Sequence, residues 1–373
     1  MIAVALLAAA LSPLAAGNAC AMEQQAAPAH SSFQQLSQAA DRARDENRDD
    51  DAIPLYQRAL ALRPEWEEGL WYLGTLLYGK DQYAPARDIF RRFVALRPDA
   101  GPGWALLGLS EFQVHEYARS LDHLRRAMAL GMGDRQDLKQ SVFYSVTILL
   151  TRFEQYDDSL ELLAGMVNSG QCDAPAIEAA GLAGLRMPLL PAEIPPERHE
   201  LIRMAGQGLC AAEIGQSDQA LKLFAAMAEA YPNEPGVHFL FGSFLMNLRP
   251  EDGIREMKRE LEISPSHVPA RNRLAEQYIK MGQFDEALAL AQEAKKLAPQ
   301  NYSVDITMGE ALVGKGDLAG GIRELETARQ LAPDNLRIRW DLVRAYSAAG
   351  RDEDAKREKQ EIEKLGQQAA KPQ

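Results

Sequence analysis

The sequence predicts an all-α protein built as a solenoid of antiparallel helix pairs. Prolines keep a fixed interval in two parts of the 373-residue chain, and small residues recur at set distances before them. The prolines that follow one another by 33 or 34 residues are Pro64 and Pro98, then Pro232, Pro265, Pro299 and Pro333. A period of this length is typical of proteins in which each repeat is one supersecondary unit.

Two columns of small residues indicate where the two helices of each repeat cross. The first column lies twenty-four positions before the position of the repeated proline, and its residues are Ala40, Gly74, Gly108, Gly208, Ala275 and Gly309. Twelve positions before it stand Ala52, Ala86, Ala220, Gly253, Ala287 and Gly321, with Ser120, Ser159 and Ala355 where the proline is missing. Antiparallel helices approach closely where one shows a small side chain to the other, so each repeat is predicted to be a helical hairpin.

Glycine and proline mark the ends of the predicted helices. One place between the first and second helix holds Gly215, Gly282, Gly316 and Gly350, and glycine suits a helix C-terminus. The repeated proline ends the second helix, because the residue before a proline avoids the α region. The order helix, turn, helix and stop therefore recurs about every 34 residues.

This order resembles the tetratricopeptide repeat, and the resemblance extends over most of residues 33–365. It implies a right-handed superhelix of about eighteen to twenty helices with almost no strand. The nine repeats are 33–64, 67–98, 101–132, about 137–170, 198–232, 234–265, 268–299, 302–333 and 336–365.

The repeats predict two arrays and an interruption. We expect about four repeats at 33–170, an irregular insertion or degenerate repeat at 171–197, about five repeats at 198–365, and a disordered tail at 366–373. Within the insertion, Ala174–Arg186 is predicted to form one helix, and the proline-rich stretch after it excludes a helix. Its apolar residues Leu189, Leu190 and Ile194 are expected to pack against the array.

The first 21 residues predict a secretory signal peptide. They are uncharged, their apolar run is interrupted at Pro13, and they end in the small-residue pattern around Cys20 that suits cleavage. The predicted location is periplasmic or secreted. Acylation of Cys20, which would anchor the chain as a lipoprotein, is the less favoured alternative, and no other segment is predicted to span a membrane.

Charge and motifs limit the function. The chain has 53 acidic and 41 basic residues, a net charge of −12, which disfavours nucleic acid as a partner. Gly309–Gly316 approaches a phosphate-binding loop but ends in glycine instead of serine or threonine. The histidines do not cluster, and standard catalytic motifs are absent. We therefore predict no enzymatic activity, no metal and no cofactor.

The family resemblance places particular side chains in a concave groove that binds proteins. The implied groove residues are Trp71, Thr75, Tyr78, Leu109, Phe112, Tyr144, Ile148 and Thr151 before the interruption, and Leu209, Phe239, Ser243, Met246, Asn272, Glu276 and Ile279 after it. Aromatic side chains favour binding because they provide large contact area at low entropic cost. The principal site is predicted around Trp71, Tyr78, Phe112 and Tyr144, unless Trp71 and Phe112 fill the seam between helices.

The sequence thus predicts a non-enzymatic scaffold outside the cytoplasm that binds a protein or peptide segment. The alternatives are a membrane-anchored lipoprotein of an envelope assembly or glycan-related complex, and a regulatory subunit of a separate enzyme. Cys172 and Cys210 flank the interruption and could form a disulfide outside the cytoplasm, or could remain separate thiols.

Overall fold

The structure is a computed structural model that describes residues 27–168 and 172–369. These residues form nineteen α-helices and no strand, which confirms the predicted all-α fold and helix number. The predicted signal peptide at 1–21 lies outside the described residues. The last helix continues to Ala369, within the predicted tail, and residues 370–373 also lie outside the description.

The described residues form two compact units, which divide between residues 149 and 150. The helices of the first are α1 (Ala27–Asp45), α2 (Asp49–Leu62), α3 (Glu67–Gly79), α4 (Tyr83–Leu96), α5 (Gly101–Gln113), α6 (Tyr117–Leu130) and α7, which runs on to the start of the second unit (Gln136–Arg152). Consecutive helices pack as hairpins: α1 with α2, α3 with α4, and α5 with α6.

The second unit continues this organisation. Its helices are α8 (Tyr156–Asn168), α9 (Ala174–Gly184), α10 (His199–Glu213), α11 (Ser217–Ala230), α12 (Val237–Leu245), α13 (Pro250–Ile263), α14 (Val268–Lys280), α15 (Phe284–Leu297), α16 (Tyr302–Lys315), α17 (Leu318–Leu331), α18 (Leu336–Ala348) and α19 (Asp352–Ala369). From α10 onward the helices pack in consecutive pairs, up to α18 with α19.

The small-residue columns lie at these helix crossings. A Cβ atom on Gly74 would stand 2.7 Å from the Phe90 ring, and one on Gly309 would stand 2.7 Å from Leu325 Cγ. Ala287, in the second column, is fully buried. Each repeat therefore closes by placing a large side chain of its second helix over a small residue of its first.

The turn between the helices of a repeat requires left-handed backbone. Gly215 has φ +77°, and its neighbour Gln216 donates its backbone N–H to the Ala211 carbonyl at 2.8 Å. Four of the earlier repeats make the same turn without glycine, with positive φ at Asn47, Asp81, His115 and Glu154. Asn, Asp and His are enriched in this conformation, so Glu154 carries the largest conformational cost of the four.

Replacing Glu154 with glycine is therefore expected to raise the free energy of unfolding by about 0.5–1 kcal/mol. Relief of a left-handed conformation is worth about 1–2 kcal/mol, and the extra freedom of glycine in the unfolded chain offsets part of it. Denaturant unfolding measures the change. Gly215→Ala, at the equivalent position of another repeat, should lower the free energy of unfolding. A loss of stability in both variants would refute this account of the turn.

Residues 172–197 belong to the helical stack of the second unit. The predicted helix is present as α9, and it packs against α10. The following stretch holds two short 3-10 turns, Pro191–Glu193 and Pro196–Arg198. Leu190 and Ile194 are buried, and Leu189 is half-buried. The boundary between the units lies inside α7, earlier in the chain than residues 171–197, where the sequence predicted an interruption.

Cys172, just before the start of α9, and Cys210, in the last turn of α10, form a disulfide. Their Cα atoms are 6.3 Å apart, and 38 positions separate them in sequence. Cys210 is buried. The bond ties the two helices of this pair together at one end.

Candidate protein-binding groove

The second unit contains a recess of about 510 Å³ formed mainly by α8, α10, α12 and α14. The half-buried side chains of Leu160, Leu209, Phe239 and Phe244 give it apolar walls. The Phe244 ring lies 5.1 Å from that of Phe224, and the Phe239 ring lies 4.8 Å from that of His267. We call this recess the apolar pocket.

Arg186 forms one edge of the apolar pocket. It follows α9 with left-handed backbone, φ +54°. Its guanidinium lies 4.4 Å above the centre of the Tyr156 ring and 5.8 Å from that of Phe239, and Nη1 is 3.6 Å from Asp157 Oδ1. This edge of the pocket therefore has a guanidinium near two aromatic rings, with its charge paired to Asp157.

Asn272 provides a polar atom without an internal partner. Its side chain is 9% exposed, and Nδ2 donates to Glu276 Oε1 at 3.4 Å. Its Oδ1 atom is buried and accepts no hydrogen bond. An unsatisfied buried acceptor costs about 1–3 kcal/mol, so an N–H donor from a ligand would be stabilised here. Asn272, Arg273 and Glu276 all line the apolar pocket.

A second recess, of about 600 Å³, continues from the first along α14, α16 and α18, and we call it the charged pocket. Arg337 lies among three carboxylates: its nitrogen atoms are 3.8 Å from Glu276, 3.4 Å from Glu310 and 3.9 Å from Asp341. Burial, and then the charge of Asp341, raise the pKa of Glu310. Burial also raises the pKa of Asp341, against the opposing effects of Arg344 and Arg337.

The Glu310 carboxyl makes the stability of the protein depend on pH. A raised pKa means that the folded chain holds the proton more tightly than the unfolded chain, so stability is lost as pH rises through the folded pKa. We expect Glu310→Gln to have a higher Tm than the wild type at pH 7.5, with the difference vanishing near pH 4. Glu353→Gln, an exposed carboxylate on α19, is the control. A lower Tm for Glu310→Gln at pH 7.5 would contradict this.

In the first unit, the predicted aromatic residues are half-buried and pack against their own repeats. The Trp71 ring lies 5.3 Å from Phe93 and 6.1 Å from Phe90, in the partner helix α4. Tyr78 packs on Tyr83 at 5.3 Å, and Phe112 packs on Tyr117 at 5.8 Å. Thr75 Oγ1 donates to the Tyr72 carbonyl at 2.9 Å. Tyr144 is also half-buried.

Four predicted groove residues belong to the interior instead, and this corrects their assignment. Leu109 is 5% exposed, Ile148 is 0% exposed and Met246 is 5% exposed. Almost every face of α5 is covered, which explains Leu109. Met246 packs with Met257, Ala270 and Leu274. Thr151 is likewise buried, and its hydroxyl pairs with that of Ser159 at 2.9 Å.

Apart from Met246, the residues predicted for the groove of the second unit line the two pockets, and their role in binding stays a prediction. Leu209, Phe239, Ser243, Asn272 and Glu276 all line the apolar pocket. Ile279 lines the charged pocket, together with three residues outside the predicted set, Arg337, Asp341 and Arg344. A sequence signal for the charged pocket exists, because Glu276, Glu310 and Arg344 occupy the same place in three successive repeats.

The hairpins and the groove define an α-helical repeat scaffold. Sequence models of the tetratricopeptide repeat match residues 37–103, 206–234, 268–301 and 312–371. The chain therefore belongs to the tetratricopeptide repeat family, as the sequence pattern predicted. Proteins of this family are protein-interaction scaffolds.

Two sequence relatives match part of the chain. Cellulose synthase operon protein C of Xanthomonas axonopodis pv. citri (strain 306) is 28% identical over 150 residues, which is 38% of this chain and 10% of that protein. The TPR repeat-containing protein YpiA of Bacillus subtilis (strain 168) is 22% identical over 146 residues, 38% of this chain and 34% of that protein. The match thus spans about a tenth of the first relative's length and about a third of the second's.

Solved structures of MamA also resemble the chain. MamA 41-end from Desulfovibrio magneticus RS-1 is 19% identical, with a TM-score of 0.42 over 46% of this chain and 98% of that one. MamA AMB-1 is 22% identical, with a TM-score of 0.39 over 44% of this chain and 98% of that one. Separately, among residues 27–168 and 172–369, no helix is both long and apolar enough to span a membrane.

Proposed function

We propose that the protein is a non-enzymatic scaffold outside the cytoplasm that binds a segment of a partner protein in the groove of its second unit. The apolar pocket is the observation that carries this proposal. It combines aromatic and aliphatic walls with the unsatisfied Oδ1 atom of Asn272. Recesses with apolar walls and few convergent polar groups are typical binding sites.

The pocket suits an extended or helical segment that carries one large apolar side chain. That side chain would pack between Leu209, Phe239 and Phe244, which line the recess. An N–H group of the segment would donate to Asn272 Oδ1 and supply its missing partner. Binding energy in such sites is concentrated in a few buried apolar contacts.

This proposal moves the principal site away from the first unit, where the sequence had placed it. Trp71, Tyr78 and Phe112 already have aromatic partners within their own repeats. Their truncation is therefore expected to affect packing more than binding. Phe239 also has a ring partner, His267 at 4.8 Å, but it lines in addition a recess that is large enough to admit a side chain.

Selection from twelve-residue random peptides displayed on phage, followed by titration of the selected peptides, tests the proposal. Phe239→Ala is expected to weaken binding of the selected peptides at least tenfold, because it removes one wall of the pocket. Tyr78→Ala, the control in the first unit, should leave the affinity unchanged. If Tyr78→Ala weakens binding and Phe239→Ala does not, or if selection yields no binding peptide, the proposed site is wrong.

Two features support the location outside the cytoplasm. Residues 1–21 have the composition of a secretory signal peptide, and Cys172 is bonded to Cys210. Disulfides persist in oxidising compartments and are rare in the cytosol.

Mass spectrometry of the protein purified from its native host tests this proposal. A free amino terminus after Ala21 with both cysteines oxidised is expected; an acylated Cys20 would support the lipoprotein, and an intact leader with free thiols would contradict export.

A further inference from the structure

We infer that the partner segment carries a lysine or arginine side chain, and that this side chain enters the charged pocket beside the apolar pocket. This inference rests on the proposed function and specifies the chemistry of the partner. It is carried by the arrangement of three carboxylates around one guanidinium and by a buried oxygen atom of Asp341 that accepts no hydrogen bond.

The three carboxylates share one guanidinium, and other arginines of the chain pair with only two of them. Arg337 lies 3.8, 3.4 and 3.9 Å from Glu276, Glu310 and Asp341. Glu276 also pairs with Arg273 at 3.6 Å, and Asp341 also pairs with Arg344. Close charge-assisted hydrogen bonds are about 2.7–2.9 Å long, so Arg337 makes no optimal pair with any of the three. A second cation inside the pocket would be attracted by all three groups.

Asp341 identifies the point where that cation would bind. Its side chain is 2% exposed and lines the charged pocket. Arg344 donates to its Oδ1 atom, whereas its Oδ2 atom is buried and accepts no hydrogen bond. A buried carboxylate with one unsatisfied oxygen favours a donor, and an ammonium or guanidinium group supplies both the hydrogen bond and the opposite charge.

The other charges that face the pocket are arranged with the acidic groups inside and the basic groups at the rim. The side chains of Glu276, Glu310 and Asp341 are 19%, 22% and 2% exposed, whereas those of Arg273 and Arg344 are 45% and 68% exposed. Lys280, the remaining basic residue of the lining, is also exposed. The rim cations reach solvent and are screened there, so the interior favours a cation over an anion.

The walls also fit a long basic side chain. Ile279, Val313 and Leu325 line the pocket and offer apolar surface to a methylene stem. Lysine and arginine place such a stem against apolar groups while their charged end reaches a polar partner. The whole chain carries a net charge of −12, which favours the approach of a basic segment.

One bound segment could occupy both pockets, because Arg273 and Glu276 line both of them. The apolar side chain would then lie near Phe239 and the basic side chain near Asp341. This arrangement predicts a partner motif with one apolar and one basic residue at a constant spacing. Burial raises the pKa of Glu310 and of Asp341, so a proton competes with the ligand cation for these carboxylates. Binding should therefore weaken as pH falls.

The test uses the phage-selected peptides on the full chain. We expect lysine or arginine to be enriched at a constant distance from the apolar residue. Replacing that basic residue by norleucine in the synthetic peptide should weaken binding at least tenfold. Asp341→Asn and Glu310→Gln should each weaken binding of the basic peptide and leave the norleucine peptide unaffected, while Glu353→Gln should change neither.

The outcomes separate this inference from the proposed function. Peptides that require Phe239 but show no enrichment of basic residues would overturn the charged pocket and leave the apolar pocket standing. Enrichment of aspartate or glutamate would overturn it as well, and would indicate that the rim arginines select the ligand. Peptides that bind independently of Phe239, or no binding peptides at all, would refute the proposed site on which the inference rests. Circular dichroism at the assay temperature checks that each variant is folded. If Asp341→Asn does not fold, Glu310→Gln still tests the inference.

Discussion

Replacing Gly206 with alanine is expected to lower the free energy of unfolding by about 1–3 kcal/mol. A Cβ atom at this position would stand 1.8 Å from the carbonyl oxygen of Ile177 in α9. The facing residue Gly181 has the same constraint, with the Ile202 carbonyl oxygen 2.0 Å from the site of its Cβ. Because both obstacles are backbone atoms, α9 and α10 would have to move apart.

Gly165→Ala is the matched control for this prediction. Gly165 lies in α8 of the same unit, is exposed, and has open space where a Cβ would be. Alanine favours a helix interior over glycine by about 1 kcal/mol, so this variant should be more stable than the wild type. Denaturant unfolding of both variants measures the contrast. Equal stability of Gly206→Ala and the wild type would show that α9 does not pack closely on α10.

The second large effect is expected from the disulfide between Cys172 and Cys210. Replacing both cysteines with serine or alanine should lower the free energy of unfolding by about 2–4 kcal/mol, because the bond closes a long loop in the unfolded chain. The 38-residue separation covers α9, the proline-rich connection and most of α10. Alanine suits position 210, which is buried, and serine suits position 172.

Reduction of the wild-type protein provides the control for the double variant. A reductant should destabilise the wild type by a similar amount and leave the variant unchanged, as followed by denaturant unfolding with and without the reductant. If the wild type is insensitive to the reductant and shows two alkylatable thiols before treatment, the disulfide is absent from the protein.

The repeated helix pairs could be predicted because each depends on residues that recur in phase. Gly74 over Phe90 and Gly309 over Leu325 are two instances of one contact. The pairing of α9 with α10 lacked such a signal. Gly208 follows the repeat and faces Phe224 of α11, whereas Gly206, two residues earlier, faces α9 and has no counterpart in the other repeats. A single helix that joins a stack out of phase leaves no periodic pattern.

The groove was predicted only in part, because the position of a residue in the repeat determines which way its side chain points but not how exposed that side chain is. Leu109 and Phe239 are both at groove places, yet one is buried and the other lines a recess. The difference depends on how closely neighbouring repeats pack, which a single sequence does not encode locally. The charged pocket was missed for another reason: Arg337 and Asp341 lie outside the usual groove places and meet Glu276 only when three repeats are stacked.

The most direct test of the proposed function is a crystal structure of the full chain bound to one phage-selected peptide. We expect the peptide along α10, α12 and α14, with its apolar side chain between Leu209, Phe239 and Phe244 and an N–H group within hydrogen-bonding distance of Asn272 Oδ1. A peptide bound against the first unit, or on any surface that leaves Phe239 and Asn272 uncovered, would contradict the proposal that this groove is the binding site.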